Sequence, residues 1–594
     1  MIPSRRNPSR VLRPRNLLIV VLLAIVLPVL FHRTAGPSGW QRGDPELIVI
    51  TPHNEAIRHE FGRAFSDWHR RHHGRPVRFD WRAPGGTTEI SRYLAGQYVA
   101  AVRVWWTGQR RPWPAGAGDA LFDTAAAGRA TDARTDQRRA IRRAFIGTDD
   151  PAAFTARIDL FFGGGEYDHA DAFRRGLTVA PWASRPPPAD LFAATNGVAW
   201  IPERLGGETW RTPVWFGNAL STFGICYNLD RLRDLGVPRP PAQWADLADP
   251  VYFRQLGLAD PTKSGSAAKA FEMIIQQQCR RAVQALDHTD AGIAFLEGML
   301  ASSRLPPGVM PQGVPLSYQA AVERGWREGL ALIQLIGANA RYFSDSSSKV
   351  PLDVGQGDAA AGLAIDYYAR RQAEVSRAPD GRARMAFVAP AGGTSVSADP
   401  VSLLRGAEHR AIAVRFIQFL LSDDGQRLWA YRPGTPGGPD QYALRRLPIR
   451  RDFYPSPDPE IQRRFEEHRR YAAEALADPA INPYALAANF TYYPRWTARH
   501  FGVHRDLIRA MCLDSGDELR AAWRAIIERG GPAAQPEAMR ALRRLPDQPE
   551  PLTWRSALEI QNKYERFEYL RAWTACFRRN YREAEKLARQ KPPR

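Results

Sequence analysis

Tyr367 and Tyr368 are adjacent phenols that follow Asp366 at the end of an apolar, small-residue run, GDAAAGLAIDYYAR over Gly357 to Arg370. In an α/β protein a strand end offers side chains to a ligand, because the crevice lies outside the carboxyl edge of the sheet. Two neighbouring phenols there suit an anion by hydrogen bonding, or a hard oxidised metal by phenolate oxygen. Two further stretches can hold an anion. Pro84 to Glu89 (PGGTTE) and Asp260 to Ser266 (DPTKSGS) read as loops that open helices, with a threonine capping the first. Such starts leave backbone N–H groups free, so Gly86, Thr87, Ser264, Gly265 and Ser266 become candidate ligand contacts. A purely structural cap is an equal reading of the first. Gly163-Gly164-Gly165 permits close backbone approach. His69, His72 and His73 sit at the basic end of a helix, where cations suit the helix dipole, and read as surface.

Enzymatic chemistry finds little support. The chain has no HExxH helix, GxSxG elbow, P-loop or paired-carboxylate motif. Cys226 lies in an apolar strand pattern, a poor place for a nucleophile. Cys226, Cys279, Cys512 and Cys576 are too far apart in sequence for a metal knuckle, and nothing specifies a disulfide pairing. The chain therefore reads as a binding protein rather than an enzyme.

The elements that must position these residues alternate. Glu46 to Ile50 is an apolar strand followed by a loop and an amphipathic helix from about Glu55 to His73. Val77 to Trp81 and Ile158 to Phe162 continue the strands, so the expected architecture is α/β, a doubly wound parallel sheet. Residues 97–157 read as an inserted, partly helical, mobile segment. From Thr212 an extended apolar stretch reads as strands crossing between two lobes. Leu256 to Ala259 and Met385 to Val388 are further strands, and Ala411 to Leu421 and Asp424 to Tyr431 are helices of a returning segment. Beyond Phe453 the chain reads as helical and aromatic-rich.

With 594 residues, 44% hydrophobic and 24% charged, the chain has room for more than one globular domain. The formal net charge of +20 is spread thinly and lacks a nucleic-acid motif, which argues against nucleic acid as a partner. Leu17 to Phe31 is an apolar run behind a basic segment, the form of a secretory signal. It is short of the roughly 20 residues of a full span. A cleaved signal and an uncleaved inner-membrane anchor both fit, and either exports the body to the periplasm or another extracytoplasmic space.

The order of segments resembles the periplasmic solute-binding proteins of ABC importers, within them the ferric-iron-binding type. The resemblance rests on His53-Asn54-Glu55-Ala56, DLFFGG from Asp159, FGICYNLD from Phe223, WADLADP from Trp244, LADPTKSG from Leu258, Gly357 to Tyr368, and Gly393 to Gln426. It covers roughly Glu46 to Tyr431. It implies the two-lobed type II periplasmic binding protein fold: residues 1–45 as signal or anchor and linker, 46–221 as lobe 1 with the 97–157 insertion, 222–387 as lobe 2, 388–452 returning to lobe 1, and a helical C-terminal extension over 453–594. It implies a small ligand between the lobes and an ABC permease as partner. Carried over by position, the metal ligands for an Fe(III) cargo would be His53, Tyr367 and Tyr368. The family's glutamate falls among the three glycines, with Glu166 just beyond, so a synergistic anion would complete the shell. Asn54, Gly163, Gly164, Ser221 and Asp366 join the helix-start residues as ligand contacts. A phosphorylated sugar, phosphonate or other small anion is the alternative cargo, and a membrane-anchored ligand sensor or assembly protein the alternative role.

Overall fold

The computed structural model describes residues 43–122, 133–183, 186–193, 197–303, 310–473, 476, 481–560 and 563–590. The apolar run at 17–31 lies outside the described residues. Among the described residues, no helix is long and apolar enough to cross a membrane.

The first strand, β1 (Glu46–Ile50), pairs in parallel with β2 (Arg78–Arg82) and β3 (Leu160–Phe162). The helix Glu55–His73 connects β1 to β2. Asn54 caps its start, accepting from the Ile57 N–H at 3.1 Å, and Gly74 ends it in the left-handed conformation, which a side chain would strain. Short strands β4 (Thr178–Val179), β5 (Arg204–Leu205) and β6 (Glu208–Thr209) lead to the long β7 (Trp215–Asn228). Then follow β8 (Leu256–Ala259), β9 (Ala340–Ser344), β10 (Ala361–Ile365), β11 (Met385–Val388), β12 (Val396–Leu404) and β13 (Leu447–Pro448).

The strand order is β2-β1-β3-β12-β7-β10-β8-β9. β7 is the joint. Its first residues, Trp215 to Thr222, pair with β12 beside β1 and β3, and Phe223 to Tyr227 pair with β10 beside β8 and β9. The result is mixed α/β, two parallel half-sheets joined by antiparallel strands. β10 is buried at every position because helices cover both faces, which explains its all-small, all-apolar sequence.

Each half-sheet has its own core. Phe61, Phe65, Phe162, Phe416 and Trp429 fill the first. The described residues of 97–157 pack on the first half-sheet. The helix Thr87–Gly108 runs straight through the expected boundary, and its Tyr98, Val102 and Trp106, four residues apart, pack with Ile141 and Phe145 against Ile50 and Phe161. The second core joins Ile225, Leu258, Ile275, Trp326 and Leu330 to Trp496, Trp523, Phe577 and Tyr581 of the C-terminal region. That region is helical as expected, but it shares a core with the second half-sheet.

Candidate functional site

No loop follows β10, where one was expected, because the helix Asp366–Val375 starts at once. Asp366 is its first residue, so Tyr367 and Tyr368 stand in its first turn and not in a loop. Asp366 spends its carboxylate on structure, accepting from the Tyr367 N–H at 2.8 Å and the Thr222 hydroxyl at 3.1 Å. Tyr367 is buried and its OH accepts from Asn54 Nδ2 at 2.9 Å, so one asparagine both caps a helix behind β1 and reaches the other half-sheet. The tyrosine rings lie 4.7 Å apart, and burial first, then Tyr367, pushes the Tyr368 phenol up to about 12.

His53 is buried in the loop after β1, edge-on to Phe162. Its Nε2 lies 3.2 Å from Asp399 Oδ2 and 3.3 Å from Arg446 Nη1. Arg446 donates to Asp399 and, at 2.9 Å, to the Ser221 hydroxyl, and its guanidinium lies over the rings of Tyr367 and Trp429. Burial lowers the His53 pKa more than Asp399 restores it, which favours the neutral ring. Burial opposes ionisation of Asp399, but Arg446 and His53 outweigh it and hold the carboxyl well below the usual range. His53 Nδ1, Asp399 Oδ1 and Arg446 Nε are buried without a hydrogen-bond partner among the protein groups. Thus His53, Asn54, Ser221, Asp366, Tyr367 and Tyr368, drawn from both half-sheets, meet around one Arg–Asp pair.

The helix-start residues meet beside them. Gly86, not a threonine, is the cap of the helix Thr87–Gly108, and Thr87 is its first residue. Gly163 has a φ of +93°, and a Cβ there would lie 2.5 Å from His53, so only glycine fits. A Cβ on Gly164 would meet Thr87 at 2.7 Å, and one on Gly265 would stand 3.4 Å from the Thr87 hydroxyl and 3.5 Å from Asp168 Oδ2. Ser264 caps the helix Gly265–Gln284, accepting from the Ala267 N–H at 3.3 Å, and Ser266 lies in its first turn. Three helix starts therefore converge on the buried Asp168, which also accepts from the Gly165 N–H at 3.4 Å. Burial raises the Asp168 pKa, against the pull of Arg505 and Thr87.

Glu166 opens the helix Glu166–Arg174 and keeps other company. It faces Glu208, Thr209 and Lys269, and burial, then Glu208, lifts its carboxyl to about 8. Lys269 bridges Glu208 and Glu272, each at 2.9 Å, and stacks on Tyr492. A sequence-expected ligand thus belongs to a buried ion network instead of the His53 group. Among the described residues, Asp423, Asp452 and His468 could bring three ligand atoms together. Arg450 and Arg464 already hold Asp452, and Arg427 holds Asp423, so this cluster is charge-balanced without a metal.

One expectation fails elsewhere, the surface placement of His69. His69 is buried, its Nδ1 2.7 Å from the Arg75 carbonyl and its Nε2 3.1 Å from Arg415, while His72 and His73 are exposed. All four cysteines are free and buried. Sequence reading missed Arg446, Asp399, Asp168 and Arg505. Asp399 stood within a quoted motif and Asp168 one turn past the glycines, but nothing local marks Arg446 or Arg505 among so many arginines.

Residues 154–431 match the sequence model of the family described as bacterial extracellular solute-binding protein. A Haemophilus influenzae relative named only as an uncharacterized protein is 22% identical over 282 residues, 47% of this chain and 62% of its own length. The phosphoglycerate transport regulatory protein PgtC of Salmonella typhimurium is 26% identical over 213 residues, 36% of this chain and 40% of that protein. The chain thus spans between 40% and 62% of the length of these curated relatives. Iron-bound HitA from Pseudomonas aeruginosa aligns with a TM-score of 0.41 at 13% identity, covering 78% of this chain and 99% of HitA. AfuA from Actinobacillus pleuropneumoniae, with exogenous fructose-6-phosphate bound, aligns at 0.39 and 15%, covering 64% and 81%. Likeness at that level says nothing of a ligand. Residues 154–431 are thus similar to the bacterial extracellular solute-binding proteins.

Proposed function

We propose that this chain is the extracytoplasmic solute-binding component of an ABC-type importer, with a two-lobed type II fold that takes a small solute between its lobes and presents it to an inner-membrane permease. Residues 46–221 with 388–452 form one lobe, 222–387 the other, β7 is the crossing strand, and the chain returns between β11 and β12. One observation carries the reading. The family match over residues 154–431 includes Tyr367, which Asn54 reaches from the other half-sheet beside the contact of His53 with Arg446. Closure on ligand through contacts with both lobes is the hinge movement such an arrangement serves. Export follows from the apolar run at 17–31, whether cleaved or kept as an anchor.

A small anion, such as a phosphorylated sugar or phosphonate, fits this site better than a cation. Arg446 and Asp399 balance each other's charge, and three helix starts point at the seam. The name of the Salmonella relative points to phosphoglycerate, a compound of the same class. Ferric ion is the second reading, supported by the meeting of His53 and the Tyr pair through Asn54. It requires phenolates, which burial at Tyr368 opposes.

Thermal-shift titration of the natively purified protein with phosphate esters, phosphonates and ferric citrate tests this. The anion reading expects stabilisation by a phosphorylated compound and its loss in Tyr367→Phe/Tyr368→Phe with the fold kept. A visible phenolate-to-iron band in ferric-loaded protein, absent from the double variant, would select the iron reading. Stabilisation by neither, with no permease co-purifying, would overturn the proposal.

A further inference from the structure

The C-terminal region does more than pack on the second half-sheet. Trp326 Nε1 donates to His504 Nε2 at 2.8 Å and Leu507 is buried in the shared core, so the helix Phe501–Ile508 is fixed to that side. From the same helix Arg505 reaches back across the seam. Its Nε donates to the Pro261 carbonyl at 2.6 Å, and Nη2 donates to the Thr262 carbonyl at 2.8 Å and to the Thr88 hydroxyl at 2.7 Å. Pro261 and Thr262 follow β8 in the second half-sheet, whereas Thr88 opens a helix behind β2 in the first. Thr88 itself donates to the Thr262 carbonyl at 3.3 Å.

Two more contacts run the same way. The rings of Phe501 and Tyr167 lie 4.8 Å apart, and the Tyr492 N–H donates to the Gly206 carbonyl at 2.8 Å. Arg505 also faces the buried Asp168 at the converging helix starts. A planar guanidinium with five donors suits three acceptors on two bodies, and a lysine would not span them.

We propose that the C-terminal region is a strap across the mouth of the cleft, in which Arg505 holds the two half-sheets closed without solute. The inference rests on the two-lobed reading above. The strap sets the resting population of the closed form, so a solute meets a cleft biased toward closure and must work against the strap to enter.

Double labelling tests it in the full chain. Ala100→Cys and Arg327→Cys place labels on exposed helix positions of the two half-sheets, and the four native cysteines are buried. Without added solute, the otherwise unchanged protein should give one short, narrow separation. Arg505→Ala should shift it to longer, broader values. Arg505→Lys, which keeps the charge on the second side but cannot span the three acceptors, should do the same. Gly86→Ala serves as a wedge, because its Cβ would stand 2.8 Å from the Lys263 carbonyl. If the wedge opens the protein and neither strap variant does, the strap is wrong and the hinge survives. If no variant changes the separation, the two-lobed reading itself fails.

Discussion

At the residue scale the site is governed by one buried ion pair. Arg446 and Asp399 are both shielded from water, and each is the other's counter-charge. Asp399→Asn keeps the shape but leaves the guanidinium uncompensated, so it should cost about 3–5 kcal/mol in urea unfolding. A loss under about 1 kcal/mol would mean that the pair does not hold the site together. Asp399 titrates below its unfolded value, so its contribution is present above about pH 4 and fades as pH falls further. Glu166 works in the opposite sense. Its folded pKa of about 8 lies above the unfolded value, so the folded state binds the extra proton between them. Stability should therefore decline as pH rises from about 4.5 to 8, and Glu166→Gln should flatten that slope. An unchanged slope in the variant would place the titration elsewhere.

At the element scale, glycines decide how closely the helix starts approach one another. Gly86 and Gly265 occupy similar places but differ in room. A methyl on Gly86 would press the Lys263 carbonyl, whereas one on Gly265 would find contacts at 3.4 Å and 3.5 Å. Gly86→Ala should lower the melting temperature and any solute response, while Gly265→Ala should change both little. Equal effects would show that the seam is not packed as described. Ser264→Ala removes only a cap and should cost about 1 kcal/mol, measured by urea unfolding. Most of this layer was legible beforehand. The strand Leu256–Ala259 and the helix Glu55–His73 fall where alternation and helical spacing put them. The shift from Thr87 to Gly86 as cap, and of the tyrosines into a helix, reflects how poorly local sequence marks the first turn.

At the scale of the whole molecule, the C-terminal region is part of the second core and not an optional tail. Trp523 Nε1 donates to Asn339 at 2.8 Å, and Gln276 Nε2 donates to the Tyr493 carbonyl and Thr497 hydroxyl, each at 2.8 Å. Burying an aromatic side chain of this size contributes roughly 1.5–3 kcal/mol. A chain ending at residue 452 should therefore expose the faces of Ile275, Trp326 and Leu330 and fail to accumulate as soluble protein. A soluble, cooperatively melting truncation would contradict the shared core. The same core explains why residues 453–594 read as an extension: their apolar faces carry no mark of the partner they cover.

Alternation of apolar strands with amphipathic helices already determined the α/β class, because each element must bury one face and its period shows which. The tyrosine pair and the glycine turns were visible for a similar reason, since those residue types are rare in such a setting. What surrounds them was decided only in three dimensions. Arg446 reaches His53 across 393 positions and Arg505 reaches Thr88 across 417. A charge that finds its partner over such separations leaves no local pattern, so which arginine enters the site is a property of the packed chain alone.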